Sequence, residues 1–230
     1  LKNQVIVITG AGSGLGASLA KKYSEIGAHI CLLGRTENKL KDIGRELPNN
    51  YSIHTVDISK LSDVKRVFDS ITQTYGQIDL LFNNAGVGSF DLAEELSEED
   101  IHNMIDTNLK GTIFCSQEVL KQMKKQNSGT IVNIVSTAGL IGKATESVYC
   151  ASKFGVKGFT ESLVVELTGT PISVFAAYMG GMNTDFWSGI FDQDKTSKMM
   201  NPDDIAEIIM DNIKPRKNIA IPEIIIKNVK

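Results

Sequence analysis

At 230 residues, with 42% hydrophobic and 22% charged side chains, the chain has room for one well-buried domain and the ordinary make-up of a soluble globular protein. A formal net charge of −3 gives no basic footprint for nucleic acid and no polybasic membrane anchor, and no apolar run approaches the roughly 18–20 residues that span a bilayer. Three cysteines, Cys31, Cys115 and Cys150, without a CxxC spacing, argue against a disulfide framework or zinc site; with no signal-peptide pattern, a cytoplasmic protein is expected.

In chain order, the β-branched run over 5–8 ends at a Gly-rich turn and reads as a buried strand. Leu15, Leu19, Ala20, Tyr23 and Ile26 then recur at helical spacing over 15–27, with Gly27 as the stop. A second strand is expected over 29–33, a helix over 36–47 ending at Pro48, and a third strand over 51–56. Residues 62–75 form a helix with Val64, Val67, Phe68 and Ile71 on one face, and 78–82 a fourth strand. The segment 97–125 is helix-rich, 130–135 a fifth strand, 148–167 a long helix, 172–177 a sixth strand and 202–213 a helix. A last strand over 219–226, interrupted by Pro222, belongs at a sheet edge. Strands apolar on both faces, separated by amphipathic helices, require a mostly parallel sheet covered on both sides. The expectation is an α/β fold: one doubly wound domain over 1–230, with seven strands and no linker or repeat.

Several residues in this frame carry chemistry. Thr9-Gly10-Ala11-Gly12-Ser13-Gly14-Leu15-Gly16 sits between a strand and a helix, where missing Cβ atoms let the backbone approach a pyrophosphate and the helix end offers free N–H groups. The second strand ends in Leu33-Gly34-Arg35-Thr36 instead of an acidic residue. Arg35 and Thr36, with Ser13, suit a ribose 2′-phosphate, so NADP(H) is expected over NAD(H). Tyr149 and Lys153 lie one helical turn apart; an ammonium beside a phenol, assisted by the positive nicotinamide, lowers the phenol's pKa and makes it a general acid or base. Ser136 ends the fifth strand, at the carboxyl edge of the sheet where doubly wound folds bind ligands, and could donate to a developing oxyanion. His29, His54 and His102 share no metal or nucleophile spacing and read as structural or surface residues; no metal is expected.

The TGxxxGxG turn, Asn83-Asn84-Ala85-Gly86, Asn108 in Thr107-Asn108-Leu109-Lys110-Gly111, Ser136, the Tyr149/Lys153 pair and Thr184 together resemble the short-chain dehydrogenase/reductase family, over nearly the whole chain. The resemblance implies a Rossmann fold and a catalytic set of Asn108, Ser136, Tyr149 and Lys153, with Asn108 holding a water that passes protons to Lys153. It implies cofactor contacts from Gly10, Ser13, Gly14, Leu15, Gly16, Arg35 and Thr36, from Asp57 and Ile58 at the adenine, from Asn84 along the adenosine ribose, and from Lys153 at the nicotinamide ribose. Tyr149, Met182 and Thr184 complete that set. It implies a homodimer or homotetramer built on long helices such as 148–167.

One departure stands out. Met179-Gly180-Gly181-Met182-Asn183-Thr184 has Met179 where the family usually carries proline, which predicts a more mobile loop at 180–184. A short substrate lid is expected over 184–200, with Phe186, Trp187, Ile190 and Phe191 facing a hydrophobic carbonyl compound. The function expected is hydride transfer between NADP(H) and a small or medium apolar ketone, aldehyde or secondary alcohol, without metal. The alternative is a non-catalytic NADP(H)-binding redox sensor or interaction module.

Overall fold

The computed structural model describes residues 3–229. Its strands are β1 (Val5–Thr9), β2 (His29–Gly34), β3 (Tyr51–Thr55), β4 (Leu80–Asn83), β5 (Gly129–Ser136), β6 (Ile172–Met179) and β7 (Glu223–Ile226). Its helices are α1 (Gly14–Glu25), α2 (Glu37–Glu46), α3 (Leu61–Tyr75), α4 (Glu98–Met104), α5 (Thr112–Gln126), α6 (Ser147–Glu166), α7 (Gln193–Thr196) and α8 (Pro202–Asn212). The strands form one seven-stranded sheet in the order β3-β2-β1-β4-β5-β6-β7, every pairing parallel. This is the doubly wound arrangement expected, with the strand order reversing between β1 and β4.

Alternation along each strand builds two cores. Ile6 and Ile8 of β1 join Ile30, Leu32, Phe82 and Phe175 on the face covered by Leu15 and Leu19 of α1 and Ile205 and Ile209 of α8. Val5 and Val7 join Cys31, Leu33, Leu81 and Ile131 on the face covered by Val64, Val67 and Ile71 of α3, Cys115 and Val119 of α5, and Leu163 of α6. Each such fully buried aliphatic side chain contributes about 1.5–3 kcal/mol relative to an exposed one, so the sheet is held from both sides. All three cysteines are buried and free.

Two elements differ from expectation. The helix-rich stretch is not one helix: a π-helical segment, Ile105–Gly111, separates α4 from α5 and carries Asn108. The last strand is not interrupted by Pro222 but begins after it, because proline lacks the N–H the ladder needs; the Pro222 carbonyl instead accepts from Ala176 N. No helix among the described residues is long and apolar enough to cross a membrane.

At the β2–β3 edge, His29 and His54 flank one hydroxyl: His29 Nε2 lies 3.4 Å and His54 Nε2 2.9 Å from Ser52 Oγ, and the His29 ring packs on Tyr75 at 4.3 Å between centroids. Burial lowers the pKa of both imidazoles, and for His54 the charges of His29 and Arg66 add to the effect. Groups that are harder to protonate folded than unfolded stabilise the fold above the unfolded value of about 6.5 and lose that contribution as pH falls through it. The histidine contribution to thermal stability is therefore expected to be constant above about pH 7.5 and to fall below about 6.5, and His54→Gln should flatten that fall. An unchanged slope in that variant would remove the histidines from the account.

Candidate active site

A cleft of about 680 Å³ runs along the carboxyl ends of the strands, from the turn after β1 to the N-terminal part of α6. At one end are Gly10, Ser13, Gly14 and Leu15, with Arg35, Asp57, Ile58 and Asn84 beyond them. At the other are Ser136, Tyr149, Lys153, Met182 and Thr184. Of the expected site residues, Gly16 and Asn108 are buried behind this wall, and the exposed Thr36 is not among the residues that line it.

The turn between β1 and α1 is built for close backbone approach. A Cβ on Gly16 would lie 2.6 Å from Asn84 Nδ2 and collide with the Gly10 carbonyl oxygen, and Gly14, at φ +52°, would press one against Thr184 Cγ2 at 2.9 Å. The turn is also stitched to β4: Thr9 Oγ1 accepts from Asn84 N (2.9 Å) and Ala85 N (3.0 Å), and Asn84 Nδ2 donates to the Thr9 and Gly10 carbonyls. Asn84 thus holds the turn in shape while lining the cleft. Ser13 precedes α1 without capping it through its side chain, and the first turn of α1 holds no acidic residue. The helix start and the Ser13 hydroxyl remain free for an anion, which is the chemistry a pyrophosphate requires.

Arg35 is exposed and makes no ion pair among the described residues, leaving its guanidinium available. Lys39, one turn into α2, adds a second cation to the same wall; its Nζ lies 3.6 Å from Asp185 Oδ2 at the start of the lid. The Asp57 carboxylate is occupied in part by Ser59, accepting from its N at 3.1 Å and its Oγ at 2.7 Å. Partial burial raises the Asp57 pKa, but these bonds and the Lys60 charge outweigh it and hold the carboxyl below its ordinary value.

At the other end, Ser136 Oγ accepts from Ala138 N at 3.1 Å, capping a 3₁₀ turn over Thr137–Gly139, which leaves the hydroxyl proton to donate toward Tyr149 or into the cleft. Tyr149 and Lys153 share one face of α6, with Lys153 Nζ 5.8 Å from the Tyr149 ring centroid. Lys153 Nζ donates to the Ile134 carbonyl at 3.2 Å, and burial lowers its pKa to about 8. Burial also pushes the Tyr149 phenol above its ordinary value; Ser136 opposes this, and the charges of Glu146 and Cys150 add to it. The lowering expected from the lysine is therefore not present in the protein alone: removing a phenolate from water costs more than a neighbouring cation already bound to a carbonyl returns.

Asn108 is 1% exposed. Its Nδ2 donates to the Val87 carbonyl (2.9 Å) and Ser152 Oγ (3.0 Å), and its Oδ1 accepts from Val87 N (2.8 Å). Ser152 in turn donates to the Tyr149 carbonyl at 2.7 Å. Asn108 therefore ties the loop after β4 to the helix that carries Tyr149 and Lys153, keeping one Oδ1 lone pair in reserve. Behind it, Asn83 Nδ2 donates to Asn133 Oδ1 and Ser116 Oγ, stitching β4 to β5 and α5.

The segment after β6 has tethers in place of the proline. Gly180 N donates to the Ile226 carbonyl (3.0 Å), Asn183 N to Met200 (2.9 Å), and Asn228 Nδ2 to Gly181 (3.1 Å), while Met182 bridges to Met200. The segment expected as a lid contains a 3₁₀ turn, Asp185–Trp187, followed by the single-turn α7. Phe186 and Trp187 pack against Phe90 from the loop after β4 and Phe191 stacks on Trp187, whereas Ile190 is exposed. Phe90, Lys39, Lys143, Glu146 and Asn228 were not singled out in the sequence. Only Glu146 carried a local signal there, standing three residues before Tyr149.

Comparison with known proteins agrees with this geometry. A family model described as short chain dehydrogenase matches residues 4–195. The chain is 34% identical to a sepiapterin reductase of Chlorobaculum tepidum, covering 97% of this chain and 95% of that protein. It is 32% identical to a 3-oxoacyl-(acyl-carrier-protein) reductase of Rickettsia bellii, covering 91% and 88%. Among solved structures, an alcohol dehydrogenase from the archaeon Thermococcus sibiricus, complexed with 5-hydroxy-NADP, superposes with a TM-score of 0.91 at 26% identity, covering 99% of this chain and 97% of that one.

Proposed function

The chain belongs to the short-chain dehydrogenase family of nicotinamide-nucleotide oxidoreductases, and we propose that it interconverts a small or medium-sized carbonyl compound of largely apolar body and the corresponding alcohol, using NADP(H). The observation that carries the reading is the convergence of a free Ser136 hydroxyl, the Tyr149 phenol and the Lys153 ammonium on the wall of a cleft that begins at a phosphate-binding turn.

The residues divide the work as follows. Ser136 donates to the substrate carbonyl and supports the charge that develops on its oxygen. Tyr149 delivers its hydroxyl proton to that oxygen in reduction and recovers one in oxidation. Lys153 holds the nicotinamide ribose, and its charge counts toward a phenolate once the site is closed to water. Asn108 positions the helix and, through its remaining lone pair, holds the water that returns a proton toward Lys153. The bound nicotinamide supplies or accepts the hydride at the carbonyl carbon.

Arg35 supports NADP(H), since its unpaired guanidinium stands where an acidic residue would select NAD(H), and the relative crystallised with an NADP analogue points the same way. The two enzyme relatives act on different classes, a pterin-type reductase and a carrier-protein-linked one. The aromatic residues at the mouth favour a free small molecule. We extend the reading to a cytoplasmic homodimer or homotetramer, with the half-exposed Phe154 and the 74% exposed Val165 of α6 as contact residues.

The test is NADPH oxidation followed by absorbance with a panel of aromatic and aliphatic ketones and aldehydes. Turnover with at least one class is expected. Tight NADPH binding with no turnover across the panel would instead support the non-catalytic sensor.

A further inference from the structure

The mouth of the cleft contains two features that hydride transfer does not use. The first is a run of flat rings drawn from three places in the chain. Phe90 meets the Tyr149 ring edge-on, 5.4 Å between centroids at 74°, and stacks on Trp187 at 5.6 Å and 21°. Phe186 stands 6.0 Å from Tyr149 and also lines the cleft. The proton donor thus opens onto aromatic walls, which favour a planar guest in offset or edge-on contact over a puckered one.

The second feature is a carboxylate. Glu146 precedes α6 and stands three residues before Tyr149, so the two side chains share the face turned to the cleft, and Glu146 lines it. Its side chain is only 19% exposed, and among the described residues its one polar partner is Lys143 Nζ at 3.5 Å, itself 38% exposed. An ionised carboxylate accepts about four hydrogen bonds, so most of the Glu146 capacity faces the space a substrate enters. A wholly apolar guest would strip water from it and offer nothing in return. A guest with an N–H would replace that water with a charge-assisted hydrogen bond.

We propose that the substrate is a planar aromatic or heteroaromatic carbonyl compound bearing an N–H donor that bonds Glu146, with Phe186 and Trp187, supported by Phe90, as the ring-binding wall. This rests on the carbonyl-reductase reading and narrows its substrate class. The lid cations compete as an explanation, since Lys195 and Lys198 also line the cleft and would attract an anionic substrate. Lys195 is already placed over the Phe191 ring, 3.4 Å from its centroid, and both lysines are exposed, which makes them a weaker anchor than a three-quarters-buried carboxylate.

The experiment is calorimetric binding to the NADP⁺ complex, where a ketone binds without being reduced. The probes are acetophenone, its meta- and para-amino derivatives, para-acetylbenzoate and cyclohexyl methyl ketone. At least one amino derivative should bind roughly tenfold or more tightly than acetophenone, and acetophenone more tightly than the cyclohexyl ketone. In Glu146→Gln the amino preference should collapse to about threefold or less, because a charged acceptor has become a neutral one. Lys143→Met, which leaves the carboxylate intact and removes its competitor, should preserve or enlarge the preference and serves as the second variant if Glu146→Gln misfolds. Phe186→Leu should erase the advantage of acetophenone over the cyclohexyl ketone.

Equal affinities for the amino and parent ketones would overturn the proposal, as would a preference that survives Glu146→Gln or tightest binding by para-acetylbenzoate. Absence of NADPH-driven turnover would sink the broader reading, yet these affinities would still decide the subsite. Turnover without the amino preference would sink the subsite alone.

Discussion

Tyr149→Phe is expected to lower kcat for carbonyl reduction by roughly 10²–10⁴-fold, the usual contribution of a positioned general acid, with NADPH still bound. At about 1.4 kcal/mol per decade, that is a loss of roughly 3–5.5 kcal/mol of transition-state stabilisation. The ring is packed by Phe90 and Phe186, and the structure gives the phenol oxygen no partner that phenylalanine would orphan except Ser136. The variant should therefore fold and bind nucleotide. Because burial holds the phenol protonated across the neutral range, reduction should lose no rate to early Tyr149 ionisation on the alkaline side, whereas oxidation, which needs the phenolate, should speed up as pH rises. Steady-state rates of both directions against pH would check this, and a flat oxidation profile would count against Tyr149 as the base.

The second large effect concerns the cofactor. Arg35→Ala should weaken NADPH binding by roughly 10–100-fold, the range for losing charge-assisted bonds to a phosphate, while leaving NADH binding unchanged. Exposure sets the expectation toward the lower end, since solvent and salt screen the guanidinium. The same screening yields a signature: raising ionic strength should weaken NADPH binding more in the parent protein than in Arg35→Ala. Nucleotide titrations by fluorescence at two salt concentrations decide it. Equal losses for NADPH and NADH would mean that Arg35 shapes the start of α2 and does not read the 2′-phosphate. Lys39 limits how large the loss can be, because it remains as a second cation on that wall.

What the sequence made legible follows from how local each signal is. The alternation of two-faced apolar strands with amphipathic helices required the parallel sheet, and the Gly turn followed β1 directly in the chain. Tyr149 and Lys153 were legible because one helical turn brings them together whatever the rest of the fold does. Ser136 needed only the end of its strand. The π segment left no such trace: the residues around Asn108 have ordinary helical composition, and the Asn108 amide it presents bonds Val87 and Ser152, partners distant in sequence.

Phe90 lies in a loop without periodicity and reaches Tyr149 only through the tertiary fold. The tethers that hold Gly180 and Gly181 come from β7 and the residues beyond it, some 45 positions away in sequence. Thr36 read as a phosphate ligand because it adjoins Arg35; its residue is exposed and is not among those that line the cleft. Glu146 was missed because distance along the chain says nothing about burial, and burial is what turns a surface carboxylate into a site.

The most direct test of the central claim is isotopic. NADPH carrying deuterium at the transferable nicotinamide position is incubated with the parent enzyme and an aromatic ketone, and the alcohol is analysed by mass spectrometry and NMR. The account predicts one deuterium, on the carbinol carbon, in a single enantiomer, and a product yield lowered in proportion to rate by Tyr149→Phe. Alcohol formed without deuterium, or formed at the parental rate by Tyr149→Phe, would contradict it.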